Sequence, residues 1–262
     1  MSSTLTLGDG TRIRYRIEGP DDAPVLVLSN SIATTLEMWD VNVPDLARAF
    51  RLVRYDTRGH GLSDAPAGAY SVERLGRDVI ELLDALSVDR AHFCGLSLGG
   101  LVGQWLGVHA PERLNRLILA NTSAYLGPSP QWDAQIDGIR LSRDLTDVAE
   151  MFLSNWFPLE ILAEQSTVEP FRETLVNMRA TGLVGCMAAV RDADMRRTIA
   201  LIQAPTLVII GEQDTVCLPD HGALIARTIP AAQTLYLSAM HLSNVENPEA
   251  FVDAVHRFLA TG

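Results

Sequence analysis

The stretch Ala91-His92-Phe93-Cys94-Gly95-Leu96-Ser97-Leu98-Gly99-Gly100 constrains the fold of this chain more than any other. An apolar run (91–94) leads into it and a segment with helical spacing (101–108) leads out. The serine therefore stands on a sharp turn between a strand and a helix. A turn this tight forces a strained backbone on the serine. It also demands glycine two residues to either side, where a Cβ would collide with the neighbouring strand and helix. At the start of a helix, the same serine has backbone N–H groups close to its hydroxyl, an arrangement that stabilises a developing negative oxygen.

The alternation of strand and helix repeats along the chain. Short apolar or β-branched runs at 25–28, 52–55, 91–94, 117–120, 206–210 and 234–237 read as strands, and continuous runs suit strands buried on both faces. Residues 4–7 and 11–18 read as a β-hairpin turning at Asp9-Gly10. Ser71 caps a helix running to about Leu86, with Val72, Leu75, Val79, Leu82, Leu83 and Leu86 on one stripe. Asn247-Pro248 opens a last helix whose inner face is Phe251, Val252, Val255, Phe258 and Leu259. The expected class is α/β, with a mostly parallel central sheet flanked by helices.

Residues 124–197 break this rhythm. They hold no strand pattern, only helical fragments punctuated by Gly127-Pro128, Pro158 and Gly182, with Trp132, Phe152, Trp156 and Phe157 among them. The expectation is a helical cap inserted into one core made of residues 1–123 and 198–262.

Composition narrows the role. At 262 residues and 47% hydrophobic, the chain can bury one full α/β core and an insertion. A net charge of −11 without any run of Lys and Arg weighs against nucleic acid or an anionic membrane as partner. The longest apolar runs are strand-sized, well short of a bilayer span, and residues 1–10 show no secretory pattern. Cys94, Cys186 and Cys217 are odd in number and lack metal-ligand spacing, which fits a reducing cytoplasm. Cys94, within a strand, reads as a small core hydrophobe.

A serine hydroxyl is a weak nucleophile unless a base removes its proton and a third group orients that base. On a strand–turn–helix elbow the chain order is Ser, then Asp or Glu, then His. Asp214 follows the run 207–210 in Gly211-Glu212-Gln213-Asp214, at the C-terminal end of a strand, where sites on parallel sheets lie. Glu212, directly after Gly211, would aim elsewhere. His60, in Arg58-Gly59-His60-Gly61, comes too early and reads as loop packing; His92, His109 and His256 fall in or beside regular elements. His221 is too near Asp214 to reach the next strand end. His241, between a last strand and a last helix, is left as the base. Leu98, directly after the nucleophile, and Ile32, in the loop after residues 25–28, are the expected oxyanion N–H donors, with Ser31 as second choice for the latter.

At this point the sequence resembles the 3-oxoadipate enol-lactonases of the α/β-hydrolase superfamily. The resemblance is carried by Ser29-Asn30-Ser31-Ile32 with Met38-Trp39, by Arg54-Tyr55-Asp56-Thr57-Arg58-Gly59-His60-Gly61-Leu62-Ser63, and by the elbow. It continues through Asn121-Thr122-Ser123, Arg191-Asp192-Ala193-Asp194-Met195-Arg196 and His241-Leu242-Ser243-Asn244-Val245-Glu246. Asn30-Ser31, where most α/β-hydrolases carry His-Gly, is the telling feature. Ala33, where glycine is usual, and Met240, where a smaller residue is common, depart from the pattern and bear on the shape of the pocket.

The resemblance implies an α/β-hydrolase fold and hydrolysis of a carboxylated enol lactone to 3-oxoadipate in aromatic catabolism. It implies an acyl-enzyme on Ser97 and no cofactor or metal. The substrate's free carboxylate asks for a cation; Arg140, Arg143, Arg179 and Arg191 lie in the cap, of which Arg140 and Arg191 are the candidates, with Trp132 and Trp156 as apolar walls. Other carboxylesterases or lactonases, carbon–carbon bond hydrolases and cofactor-free haloperoxidases or perhydrolases share the triad. A non-catalytic ligand receptor on the same fold is the alternative of another class, but such proteins often lose a triad member and none is missing here.

Overall fold

The computed structural model describes residues 2–260. Its strands are β1 (Ser2–Thr6), β2 (Arg12–Glu18), β3 (Val25–Ser29), β4 (Arg51–Tyr55), β5 (Ala91–Leu96), β6 (Leu114–Ala120), β7 (Thr206–Gly211) and β8 (Gln233–Leu237). They form one sheet in the order β1-β2-β4-β3-β5-β6-β7-β8. β2 runs antiparallel to β1 and β4, and every other pairing is parallel. The hairpin falls where the Asp9-Gly10 turn predicts it, although β1 ends at Thr6 rather than reaching residue 7. One expectation fails in detail. β8 is not buried on both faces, since Tyr236 is 50% exposed; it is the outer strand of the sheet and has a neighbour on one side only.

The helices are α1 (Val43–Leu46), α2 (Val72–Ala85), α3 (Leu98–His109), α4 (Ser129–Leu141), α5 (Thr146–Trp156), α6 (Leu159–Leu162), α7 (Gln165–Val176), α8 (Ala180–Asp192), α9 (Pro219–Thr228), α10 (Ser243–Glu246) and α11 (Pro248–Ala260). Ser71 does cap α2, its Oγ accepting the Arg74 N–H at 3.1 Å, and the Asn247 carbonyl receives the Phe251 N–H as α11 begins. α3 packs against β3, β5 and β6, α9 against β7 and β8, and α11 against β8. Among the described residues no helix is long and apolar enough to cross a membrane.

Five helices, α4 to α8, lie between β6 and β7. Their two ends meet. Tyr125 and Asp194 form an isolated antiparallel bridge, and Met195 N–H donates to the Ala124 carbonyl at 2.7 Å. Within the insertion α4 packs on α8 and α5 on α7, and Trp156 and Phe157 both meet Phe171 edge-on. α8 rests directly on the loop after β4. A Cβ on Gly182 would stand 2.1 Å from the Gly59 carbonyl oxygen, and one on Gly185 2.7 Å from the Tyr70 ring. Gly182, read in the sequence as helix punctuation, is instead inside the first turn of α8, and its smallness lets two backbones touch.

This contact generates a paired prediction. Gly182→Ala should destabilise the protein by about 1–3 kcal/mol through overpacking against immovable backbone. Gly138→Ala, inside α4 with nothing within 4 Å of its added Cβ, should stabilise it by about 0.5–1 kcal/mol through helix propensity. Urea denaturation of the two variants checks both signs; a neutral Gly182→Ala would show that α8 can lift off the loop.

Candidate active site

Ser97 joins β5 to α3 with φ 58° and ψ −114°, a conformation L-residues rarely hold. Neighbouring backbone fixes it. Ser97 N–H donates to the Ala120 carbonyl at 3.0 Å, Gly99 N–H to the Asn30 carbonyl at 2.9 Å, and Thr122 Oγ1 to the Ser97 carbonyl at 2.8 Å. A Cβ on Gly95 would lie 2.1 Å from the Gly99 carbonyl oxygen, and one on Gly99 2.2 Å from that of Ser29. The helix begins at Leu98, three residues earlier than its apolar spacing suggests, because the motif itself supplies the first turn. Leu98 N–H, at the first helical position, thus has no partner one turn back.

Asp214 and His241 come from the loops after β7 and β8 and are both buried. His241 Nδ1 lies 2.9 Å from Asp214 Oδ2 and 3.1 Å from Oδ1. The Asp214 carboxylate also accepts N–H donors from Val216 and Cys217 at Oδ1 and from the Asn121 side chain at Oδ2. Burial by itself would raise the Asp214 pKa. The charge and hydrogen bond of His241, helped by Asn121 and Cys217, outweigh it and hold the carboxyl below its ordinary value. Glu212 is exposed. Of the remaining histidines, His109 stacks on Trp105 and His256 on Phe50.

Asn121, which the sequence offered only as part of a family-like segment, joins the site through its hydrogen bonds. It sits at the end of β6 with φ 43°. One amide face donates to Asp214 and to the Met240 carbonyl, while its Oδ1 receives Ser243 Oγ. It thereby ties the acid to both sides of the loop carrying His241. The available signal was a polar residue directly after the run 117–120, at the sheet's C-terminal edge.

Asp214, Cys217 and His241 also place possible ligand atoms within 4.8 Å of one another. The donor set does not suit a metal. The carboxylate oxygens are filled by N–H donors, and burial, reinforced by the Asp214 charge, pushes the Cys217 thiol up into its protonated form.

The loop after β3 carries Ile32, which is buried and lines the same cavity as Ser97, Leu98 and His241. Its shape is set from two sides. Asn30 donates to the Tyr55 carbonyl and receives Trp39 Nε1, and the Ala33 N–H donates to His60 Nε2 at 2.8 Å. Ala33 has φ 65°, the region for which glycine is the usual choice. Neither Ala33 nor Met240 is among the residues lining the cavity.

That cavity, of ≈ 450 Å³, has Trp132 and Trp156 in its walls together with Leu126 and Val190. It brings together Ser97, His241, Ile32, Leu98 and both tryptophans, but not the arginines. Arg140 is 60% exposed, pairs with Asp137 and lines a separate depression beside Ala180 and Thr181. Arg191 is clamped by Asp133 and Asp192 at 2.8 and 2.7 Å. Arg179 turns to the carbonyls of Gly61 and Ser63, and Arg143 is exposed.

Comparison with known proteins gives the same fold. Residues 24–248 match a family model described as alpha/beta hydrolase fold. The chain is 40% identical to 3-oxoadipate enol-lactonase 2 of Acinetobacter baylyi over 96% of its own length and 94% of that protein's. Two solved structures superpose closely. A hydrolase from Pseudomonas aeruginosa has TM-score 0.98 and 53% identity, covering 99% of this chain and 98% of that one. The enol-lactonase from Burkholderia xenovorans has TM-score 0.95 and 37% identity, covering 98% and 100%.

The His60 contact predicts a pH dependence. Burial pushes its pKa down from 6.5 to about 4, so the ring is neutral and Nε2 can accept the Ala33 N–H. Between those values the unfolded chain binds more protons than the folded one, so stability falls as pH drops from about 6.5 and levels off below about 4. The full span is worth about 3 kcal/mol. His60→Gln, which keeps an acceptor oxygen, should remove that component. Unfolding free energies from urea titrations across this range should then vary less with pH by about that amount; an unchanged slope would contradict the assignment.

Proposed function

The chain belongs to the α/β-hydrolase fold family, and from this we propose that it is a serine hydrolase opening 3-oxoadipate enol-lactone to 3-oxoadipate. The observation that carries the reading is the buried His241–Asp214 pair, whose histidine lines the same cavity as a serine on a strained elbow. The likeness to enol-lactonases over nearly the whole chain supports the substrate.

Ser97 attacks the lactone carbonyl while His241 takes its proton, and Asp214 holds the ring in the tautomer with hydrogen on Nδ1. The oxygen that gains negative charge is met by the N–H groups of Leu98 and Ile32. Collapse expels the ring oxygen as an enolate, a good leaving group that takes up the proton carried by His241 and ketonises, which leaves the imidazole neutral again. His241 then activates water against the acyl-enzyme, releasing the acid and restoring Ser97. Residues 124–197 act as the cap. α4 supplies Trp132 and α5 supplies Trp156 to the cavity, giving apolar walls for a small molecule. Buried free thiols at Cys94, Cys186 and Cys217 support a reducing cytoplasm as its place of action.

Purified protein should consume the enol lactone and yield 3-oxoadipate. Ser97→Ala should lower kcat by roughly 10³-fold or more while the protein stays folded. Asp214→Asn should keep KM but cut kcat severely, because an amide favours the wrong histidine tautomer. Near-normal turnover in a folded Ser97→Ala protein, or Glu212→Gln proving the more damaging change, would refute the site as drawn. A wild-type enzyme that cleaves simple esters but leaves the lactone intact would refute the substrate.

A further inference from the structure

Glu246 is a titratable side chain that the chemistry leaves unused, although it stands beside the loop carrying His241. It ends α10 and is half-buried. Burial raises its pKa, and the charges of Asp214 and Glu160 push the same way; the one opposing influence is the hydrogen bond from Met240 N–H. No cation offsets its charge. An acid whose folded-state pKa lies above its ordinary value subtracts stability once it is ionised. The use of such a group is to be sought in the one bond it makes.

Glu246 Oε2 accepts the Met240 N–H at 2.7 Å, short as charge-assisted bonds are. From the other side Asn121 Nδ2 donates to the Met240 carbonyl at 2.9 Å. These two groups belong to the successive peptide units around Met240, and the second unit is the one that joins it to His241. Peptide units are rigid planes, so holding both fixes the two soft dihedrals of Met240 and, with them, the Cα of His241. The grip is anchored in the core. Asn244, in the same short helix, donates to the Met38 carbonyl and to Asn42 Oδ1, both at 3.1 Å, and Asn42 Nδ2 donates to the Asn244 carbonyl at 2.9 Å. Asp214 restrains the His241 ring at Nδ1, about which the ring could still pivot. The aim of Nε2 therefore also depends on where the backbone places the residue.

We propose that Glu246 is a positioning residue for the base: it holds the Met240 backbone from one side while Asn121 holds it from the other, and so sets where His241 Nε2 stands relative to Ser97. The role rests on the serine-hydrolase reading of Ser97 and His241, not on which acyl group is cleaved. The same histidine serves acylation and deacylation, so a misplaced ring slows both steps and leaves substrate binding alone.

The test uses 4-nitrophenyl acetate beside the enol lactone, with active sites counted by a fluorophosphonate that marks the reactive serine, so that kcat refers to folded protein alone. Glu246→Ala should lower kcat roughly tenfold or more, slow phosphonylation of the serine to match and leave KM nearly unchanged. Glu246→Gln keeps an oxygen that accepts the Met240 N–H and should recover much of the loss. It also removes a charge that burial disfavours, so urea denaturation at neutral pH should find it at least as stable as wild type. A residue that served only the fold would instead lose stability and keep its rate per titrated site. Wild-type turnover per site in Glu246→Ala, a loss expressed in KM, or Glu246→Gln as slow as the alanine variant overturns the proposal. Should the alanine variant fail to fold, Glu246→Leu, which keeps bulk without an acceptor, is compared with Glu246→Gln by the same measurements. Near-normal turnover in folded Ser97→Ala protein removes the triad reading and this role with it. An inactive Ser97→Ala protein beside a Glu246→Ala protein of wild-type rate removes this role alone.

Discussion

A serine at φ 58° and ψ −114° costs on the order of 1–3 kcal/mol in backbone strain, and the surroundings must over-determine it. They do so through the sheet. In the register Ser29 pairs with Gly95 and Leu96 with Ala120, so the C-terminal ends of β3, β5 and β6 are level with the elbow. The carbonyls of Asn30 and Ala120 then receive the Gly99 and Ser97 N–H groups. The other groups of the site hang from the same edge: Ile32 after β3, Asn121 after β6, Asp214 after β7 and His241 after β8. A shift of one residue in any of these pairings would flip side chains between faces and dismantle the site.

Two buried aspartates show how environment sets the charge a carboxyl keeps. Asp56 accepts the N–H groups of Leu36 and Leu62 and meets Arg14, yet burial dominates and raises its pKa. It organises the loop from which His60 reaches Ala33. Asp214, equally buried, is pulled the other way by His241 and its N–H donors. The first carboxylate is a knot in the scaffold; the second is a charge held against the buried His241 ring. Arg58, locked between Asp78 and Asp9, belongs to the same scaffold.

Much of this was legible in the chain because it is local or ordered. The elbow's demands fall within six residues, and the chain order expected after an elbow points to Asp214 and His241, which the fold brings into hydrogen-bond contact. Trp132 and Trp156 also reach the cavity. What escaped depends on rotation about helix axes and on partners distant in sequence. Arg191 looks available until α4 brings Asp133 to it, and Arg140 sits on the outer face of its helix. The uses of Gly182 and Asn121 follow from contacts with Gly59 and Asp214, which no local pattern announces. β8 has the apolar composition of a core strand but takes its exposure from its place in the strand order.

The insertion leaves and rejoins the core at one point, where Tyr125 meets Asp194 and Ala124 receives Met195. Such a closed neck makes the segment a cassette. The β6–β7 pairing lies outside it, so the helices that wall the cavity are joined to the sheet without being part of its register. The freedom has one toll gate: any graft must again present a residue without a side chain where α8 crosses Gly59. The limit on what this insertion can be is then steric, set by a loop of the core at Gly59.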